Sequence, residues 1–166
     1  MATANLTAAR LREVLSYDSE AGEFRWIRGR RGVGIGSLAG CVSGAGYVYV
    51  SVDGKKYLAH RLAWLYVHGA WPLNDIDHIN CIRTDNRLAN LRDVERHVNN
   101  QNRSGVRSDN KASRATGVSW HIHSRKWRSR IWLQGKEYRL GLFDTIDEAK
   151  ACYLAAKRQM HAGCVI

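Results

Sequence analysis

The chain has 166 residues, 45% of them hydrophobic, and carries 26 Lys+Arg against 15 Asp+Glu, for a net charge of +11. That length suits one ordinary domain or two small ones, the apolar content excludes a disordered chain, and no apolar run approaches the roughly eighteen residues that a membrane-spanning helix needs. The cationic excess points to a polyanionic partner, nucleic acid above all, because a cation set on a phosphate releases a condensed counterion; the competing reading is that the charge serves solubility.

The opening Met1-Ala2-Thr3-Ala4-Asn5 lacks a basic start followed by an apolar core, so no secretory signal is expected. Leu6, Leu11, Val14 and Leu15 are spaced for an amphipathic helix over 6–16. Phe24-Arg25-Trp26-Ile27 predicts a strand, and the dense glycines 29, 32, 34, 36 and 40 after it predict tight turns. Arg28, Arg30 and Arg31 form a basic cluster that reads equally as a phosphate contact or a solvated loop. Two β-rich runs, Tyr47 to Val52 and Lys56 to Ala59, flank Asp53-Gly54, a hairpin signal because the turn needs positive φ. A helix is predicted from His60 to Val67, ended by Gly69 and Pro72, with Trp64 in the core rather than stacked on a base.

The stretch 104–116 is polar, basic and poor in apolar residues, which predicts a linker. Beyond it, Val118 to Ile122, Lys126 to Trp132 and Lys136 to Leu140 alternate like three strands, with turns at Ser124-Arg125 and Gly135. Thr145 and Glu148 form a capping box opening a last helix, through Ala149, Tyr153, Ala156 and Met160, that Gly163 is placed to end. The cysteines, Cys41, Cys81, Cys152 and Cys164, make no CxxC pair, which predicts reduced thiols in a cytoplasmic protein rather than a zinc knuckle or disulfide framework.

The chemistry concentrates between Ile76 and Arg103. Asp77-His78-Ile79-Asn80 is followed twelve residues after His78 by Asn90 and nine residues later by Asn99. A hairpin followed by a helix would bring Asp77, His78 and Asn99 together. Phosphodiester hydrolysis needs an activated water and relief of charge on the leaving oxygen. A neutral imidazole is a suitable base near neutral pH, and a carboxylate with an amide oxygen is a hard donor set suited to Mg²⁺ or Mn²⁺. Asn90 has the donors and acceptors to tie backbone on both sides of the loop that carries His78.

His60-Arg61-Leu62-Ala63-Trp64, Asp77-His78-Ile79-Asn80, Asp85-Asn86-Arg87, Asn90-Leu91-Arg92 and Asn99-Asn100-Gln101-Asn102-Arg103 together resemble the HNH endonucleases of the phage and intron-borne homing subgroup. The resemblance covers about residues 6–103. It implies a ββα-metal fold with His78 as general base, Asp77 and Asn99 on the metal, and Asn90 as the structural middle asparagine. Asn100 competes with Asn99 for the last ligand position, and His60 and Arg61 become supporting residues near the scissile phosphate. The chain departs from the family at Cys81-Ile82, where relatives carry Gly-Asp or Gly-Asn, so the tightness of that hairpin turn is in question.

Gly117-Val118-Ser119-Trp120, Lys126 to Ile131, Gly135-Lys136, Leu140-Gly141-Leu142-Phe143 and Glu148 to Tyr153 are similar to the ethylene-response-factor-type DNA-binding domain, three antiparallel strands packed on one helix. The residues agree with a basic sheet: from Arg103 to Trp132 there are eight cations (Arg103, Arg107, Lys111, Arg114, Arg125, Lys126, Arg128, Arg130) and one acid, Asp109. Alternation puts Lys126, Arg128 and Arg130 on one face and Trp127 and Ile131 toward the helix. Trp120, His121, Arg125 and Lys136 join them as DNA contacts, with sheet packing the competing role for Trp120 and Trp132.

The expectation is therefore an α+β protein with a nuclease module at 1–103, a linker at 104–116 and a DNA-binding domain at 117–166. It is a metal-dependent endonuclease acting on double-stranded DNA as a monomer or weak dimer, without a membrane or a small-molecule cofactor. The competing readings are a DNA-binding regulator with an inactive nuclease motif and an RNA-binding protein.

Overall fold

The computed structural model describes residues 6–29, 32–102, 113–161 and 163–164. Arg30, Arg31, Arg103, Arg107, Lys111 and most of the expected linker lie outside the described residues. The chain divides into two compact units, Met1–Asn99 and Asn100–Ile166.

In the first unit, α1 (Ala8–Val14) is capped by the Thr7 hydroxyl, which accepts from the Arg10 N–H, and passes at once into β1 (Leu15–Asp18). The helix predicted to reach 16 is thus shorter. Leu15 pairs with Trp26 of β2 (Glu23–Trp26), and sheet pairing takes over what helical spacing alone assigns to the helix. β3 (Leu38–Ala39) completes this sheet. A second sheet comprises β4 (Cys41–Val42), β5 (Val48–Val52) and β6 (Lys55–Leu58). The turn between β5 and β6 forms as its sequence demands, with Asp53 at φ 48° and Gly54 at φ 77°.

Helix α2 (Ala59–His68) ends on Gly69 at φ 76°, whose N–H bonds the Leu65 carbonyl. Its buried stripe, Ala59, Leu62, Ala63 and Leu65, seats against Leu11, Leu15, Phe24 and Val50 in one apolar core. His60 rides on the same buried side, and that brings a histidine to the inside of the unit. Trp64 is half-buried against this core and lies on the His68 ring at 4.1 Å. β7 (Asp75–His78) and β8 (Leu91–Val94) then pair antiparallel, with Asp77 opposite Arg92 and His78 opposite Leu91, and α3 (Arg96–Gln101) follows. The local order is ββα, but β7 and β8 are joined by a long loop from 79 to 90 rather than a tight turn.

The second unit has three antiparallel strands, β9 (Val118–His121), β10 (Lys126–Leu133) and β11 (Lys136–Phe143), in the order β11-β10-β9. They pack on α4 (Ile146–Met160). The α+β class and the sheet-on-helix arrangement are as expected. Arg125 at φ 52°, and Gln134 and Gly135 at φ 48° and 79°, make the two turns. The Thr145–Glu148 capping box closes in both directions. The helix stops at Met160 with His161, not Gly163, at its cap. Ala115 is buried in this unit's core, and the buried Ser113 hydroxyl reaches the Val118 carbonyl at 2.7 Å. Ser113 and Ala115 therefore pack into this unit, with exposed Arg114 between them; one alanine and one satisfied hydroxyl carry too little apolar signal for composition to reveal it. Among the described residues no helix is long and apolar enough to cross a membrane.

Candidate active site and basic sheet face

The loop from 79 to 90 presents the site, and asparagines hold it. Asn90 Oδ1 accepts from the Asn80 N–H at 3.0 Å, its Nδ2 donates to the Asp85 carbonyl at 2.8 Å, and its own carbonyl accepts from the Ile79 N–H at 2.9 Å. Both ends of the loop are tied through one buried side chain. Asp85 receives Asn80 Nδ2 and two guanidinium N–H groups of Arg87, which hold its carboxyl down at about 2, with the Arg87 bonds the leading cause. The turn questioned at Cys81-Ile82 closes with Cys81 at φ 61°, its N–H on the His78 carbonyl, and with the Ile82 N–H on Asn80 Oδ1. A non-glycine residue therefore takes a left-handed position that favours glycine.

The first unit buttresses this loop from outside. The Tyr17 hydroxyl donates to the Asn86 carbonyl at 2.7 Å, burial raising its pKa to about 12, and the Leu88 N–H donates to the Ser19 carbonyl. Gly22, at φ 72° in the β1–β2 turn, lies so close that an added Cβ would sit 2.4 Å from Arg87 N and 2.6 Å from the Asn86 carbonyl carbon. Only glycine permits that approach.

His78 is buried, with Nε2 3.2 Å from Asn86 Oδ1. Asn86 spends its Nδ2 on the Thr84 carbonyl, so the network assigns the proton to His78 Nε2 and basicity to Nδ1. Burial, outweighing the bond to Asn86, lowers the His78 pKa, which keeps the ring neutral at physiological pH. His60 meets it edge-on at 4.9 Å, with Tyr47 at 5.6 Å from His60 and 6.2 Å from His78. Burial, then His78 and Arg61, push His60 down to about 3, so it too is neutral. Arg83 lies over Tyr47 at 4.9 Å. Arg61 turns instead to the Asn74 carbonyl.

Side chains alternate along β7, so Asp75 and Asp77 share the face opposite His78. Buried Asp77 receives Arg92 through Nε at 2.9 Å and Nη2 at 2.7 Å, both on Oδ2. Asn99 Nδ2 reaches Asp75 Oδ2 at 3.5 Å, and Arg96 Nε lies 3.9 Å from the same oxygen. Asn100 is exposed. The structure thus sets Asn99 on Asp75 and Arg92 on Asp77. Among the described residues no group of three or more His, Cys, Asp or Glu is arranged around a metal position. The donors on this face, two carboxylates and an amide, are all hard oxygen ligands and match Mg²⁺ or Mn²⁺ in chemistry. Asn86, Asp75 and Arg92 are functional neighbours that spacing did not single out, although Asn86 and Arg92 lie inside the motif blocks.

In the second unit the register divides the expected DNA contacts. His121, Lys126, Arg128 and Arg130 share the face away from α4, together with exposed Trp132, Arg139 and Leu142. Glu137 on that face pairs with Arg130 at 2.9 Å. Trp120 pairs with Trp127 and packs edge-on against it at 5.2 Å, on the helix side. Lys136 stands over Tyr138, also off the basic face, and Arg125 sits in the turn. Buried Ser129 separates Trp127 from Ile131 on the inner side.

The ββα hairpin-and-helix thus carries an oriented histidine on one face of β7 and two carboxylates on the other. Residues 57–101 match the family model described as HNH endonuclease. The comparison with curated proteins finds no match, and neither does the comparison with solved structures.

Proposed function

We propose that the protein is a metal-dependent endonuclease that hydrolyses phosphodiester bonds in double-stranded DNA. The observation that carries this reading is His78: buried, neutral, oriented through Nε2 by Asn86, and adjacent in the chain to Asp77 within the segment that matches the HNH endonuclease family. His78 Nδ1 takes the proton of the attacking water, and Asn86 steadies the imidazolium that forms. Asn90 keeps the loop in place during this transfer. Asp77 and Asn99, with Asp75 beside them, are the residues that would hold Mg²⁺ or Mn²⁺. When bound, such an ion supplies relief of the charge developing on the phosphate and leaving oxygen. The products are 5′-phosphate and 3′-hydroxyl ends.

The second unit, with its basic outer sheet face and the sequence likeness of 117–163 to the ethylene-response-factor type, holds the duplex through Lys126, Arg128, Arg130 and Arg139, with Trp132 and His121 among them. A phage or homing role in a bacterial cytoplasm fits this pairing of modules, as does action as a monomer that nicks. Supercoiled plasmid incubated with Mg²⁺ or Mn²⁺ tests the reading: wild type should yield nicked or linear DNA and His78→Ala should not. If wild type shifts DNA on a gel yet leaves plasmid intact with both ions, the enzyme reading fails. The Arg92 guanidinium on Asp77 favours the competing reading, a DNA-binding regulator with a silent nuclease motif, and that outcome would establish it.

A further inference from the structure

Asp77 is a carboxylate with two claims on it. Its side chain is 8% exposed, and the guanidinium that neutralises it, Arg92, is 23% exposed. The two face each other in register across β7 and β8, so the pair is built by the hairpin rather than by chance surface contact. Taking a carboxylate out of water is costly, and the guanidinium across the ladder offsets that cost. Arg92 Nε and Nη2 converge on one oxygen, Oδ2. A divalent ion bound to Asp77 would meet a fixed positive charge at that oxygen, and two cations that close repel strongly even with the screening typical of proteins.

A guanidinium that leaves a carboxylate finds an equivalent partner in phosphate, since its planar donor fork matches both. On the same face Arg96 Nε lies 3.9 Å from Asp75 Oδ2, a looser and more exposed contact than the Arg92–Asp77 pair. On the proposed reading that Asp77 holds a divalent ion, we propose that Arg92 is an exchangeable counter-ion. It holds the Asp77 side chain in place until the ion takes Oδ2, and the displaced guanidinium then pairs with a DNA backbone phosphate. Ion binding and phosphate binding are thereby coupled through one positioning residue.

The test uses the full chain. In wild type the ¹⁵Nε–H signal of Arg92 is followed by NMR during a Mg²⁺ titration; it should shift as the ion pair opens, and Asp77→Asn should abolish the response. Mn²⁺ affinity is measured by EPR for wild type, Arg92→Gln and Arg92→Lys. Gln removes the charge and keeps donors, so it should bind Mn²⁺ about tenfold tighter, while Lys should stay near wild type. Ca²⁺ should raise the affinity of wild type for a short duplex, and this gain should vanish in Arg92→Gln. Equal or weaker Mn²⁺ binding by Arg92→Gln overturns the exchange, as does an unmoved Arg92 signal while Mg²⁺ binds; the NMR arm decides alone if the Gln variant does not fold. Absence of Mn²⁺ binding in every variant overturns the metal role of Asp77 itself, and the exchange with it.

Discussion

The two units put their polar residues to opposite uses. In the first, the polar residues of interest are interior: His60, Asp77, His78, Asn86 and Asn90 are all buried, and hydrogen bonds hold all but His60 in place. In the second, the core is small and ordinary, built from Ala115, Val118, Ile131, Ala149 and Tyr153, and the distinctive residues are outside on a basic sheet face. A reacting group needs a defined position and a controlled charge, which burial and hydrogen bonds provide. A surface that grips a polyanion needs accessible charge, which a flat sheet with alternating side chains provides. Damage to the first unit should therefore be lost chemistry with retained binding, and damage to the second the reverse.

The largest expected effect is at His78. Replacing it by Ala should reduce plasmid cleavage by about 10²–10⁴-fold, while gel-shift affinity stays at the wild-type value; equal loss of both would dissolve the contrast between units. Next come two glycines that admit close contact with backbone or an aromatic ring. Gly117, at φ 73°, would place a Cβ 2.2 Å from the Tyr153 ring, and Gly22 would place one against the Arg87 backbone. Each Gly→Ala change should cost about 1–3 kcal/mol in urea unfolding. Gly117→Ala should weaken DNA binding and Gly22→Ala should slow cleavage, so an exchange of those outcomes would sink the division of labour.

Acid should act on the first unit. His60 has a folded pKa of about 3, below its ordinary value of 6.5. The unfolded chain therefore binds its proton first as pH falls. The sign follows: stability is full above the unfolded value and declines between pH 6.5 and about 3, by at most about 1.4 kcal/mol per pH unit from this group. Thermal melts across that range should show the slope, and His60→Phe should flatten it. On the sheet, Arg128→Ala should weaken duplex binding by about 1 kcal/mol and lower the salt slope by about one, with cleavage at saturating protein unchanged. The smallest effect is at Cys81. Its φ of 61° suits glycine, so Cys81→Gly should stabilise the first unit by about 0.5–1 kcal/mol, read from the chemical-denaturation midpoint.

Local chemistry was legible in advance wherever one short stretch carried the whole reason. Asp53-Gly54 had to turn because the strands on either side needed positive φ between them, and Thr145 with Glu148 had to cap α4 because three residues separate cap from N3. The alternation of Lys126, Arg128 and Arg130 likewise put them on one face, and Asn90 had the right groups to bind a loop. Trp120 and Lys136 lie off that face, because strand register, not proximity in sequence, decides which face a residue takes. Ala115 falls in a stretch whose composition predicts a linker, because the core it joins, with Ile131, Ala149 and Tyr153, lies farther along the chain.

By itself, then, the sequence determined the α+β class, the turns, the caps, the basic character and the segment 57–101 that matches the HNH endonuclease family. These depend on spacing within a few residues or on composition, and both are written along the chain. Tertiary structure alone decided that Arg92 holds Asp77, that Asn99 sits on Asp75, that Asn86 orients His78, and that Gly22 presses on the loop at Asn86 and Arg87. Those choices depend on register and on the close approach of separate segments, where a difference of one residue or one ångström selects the partner.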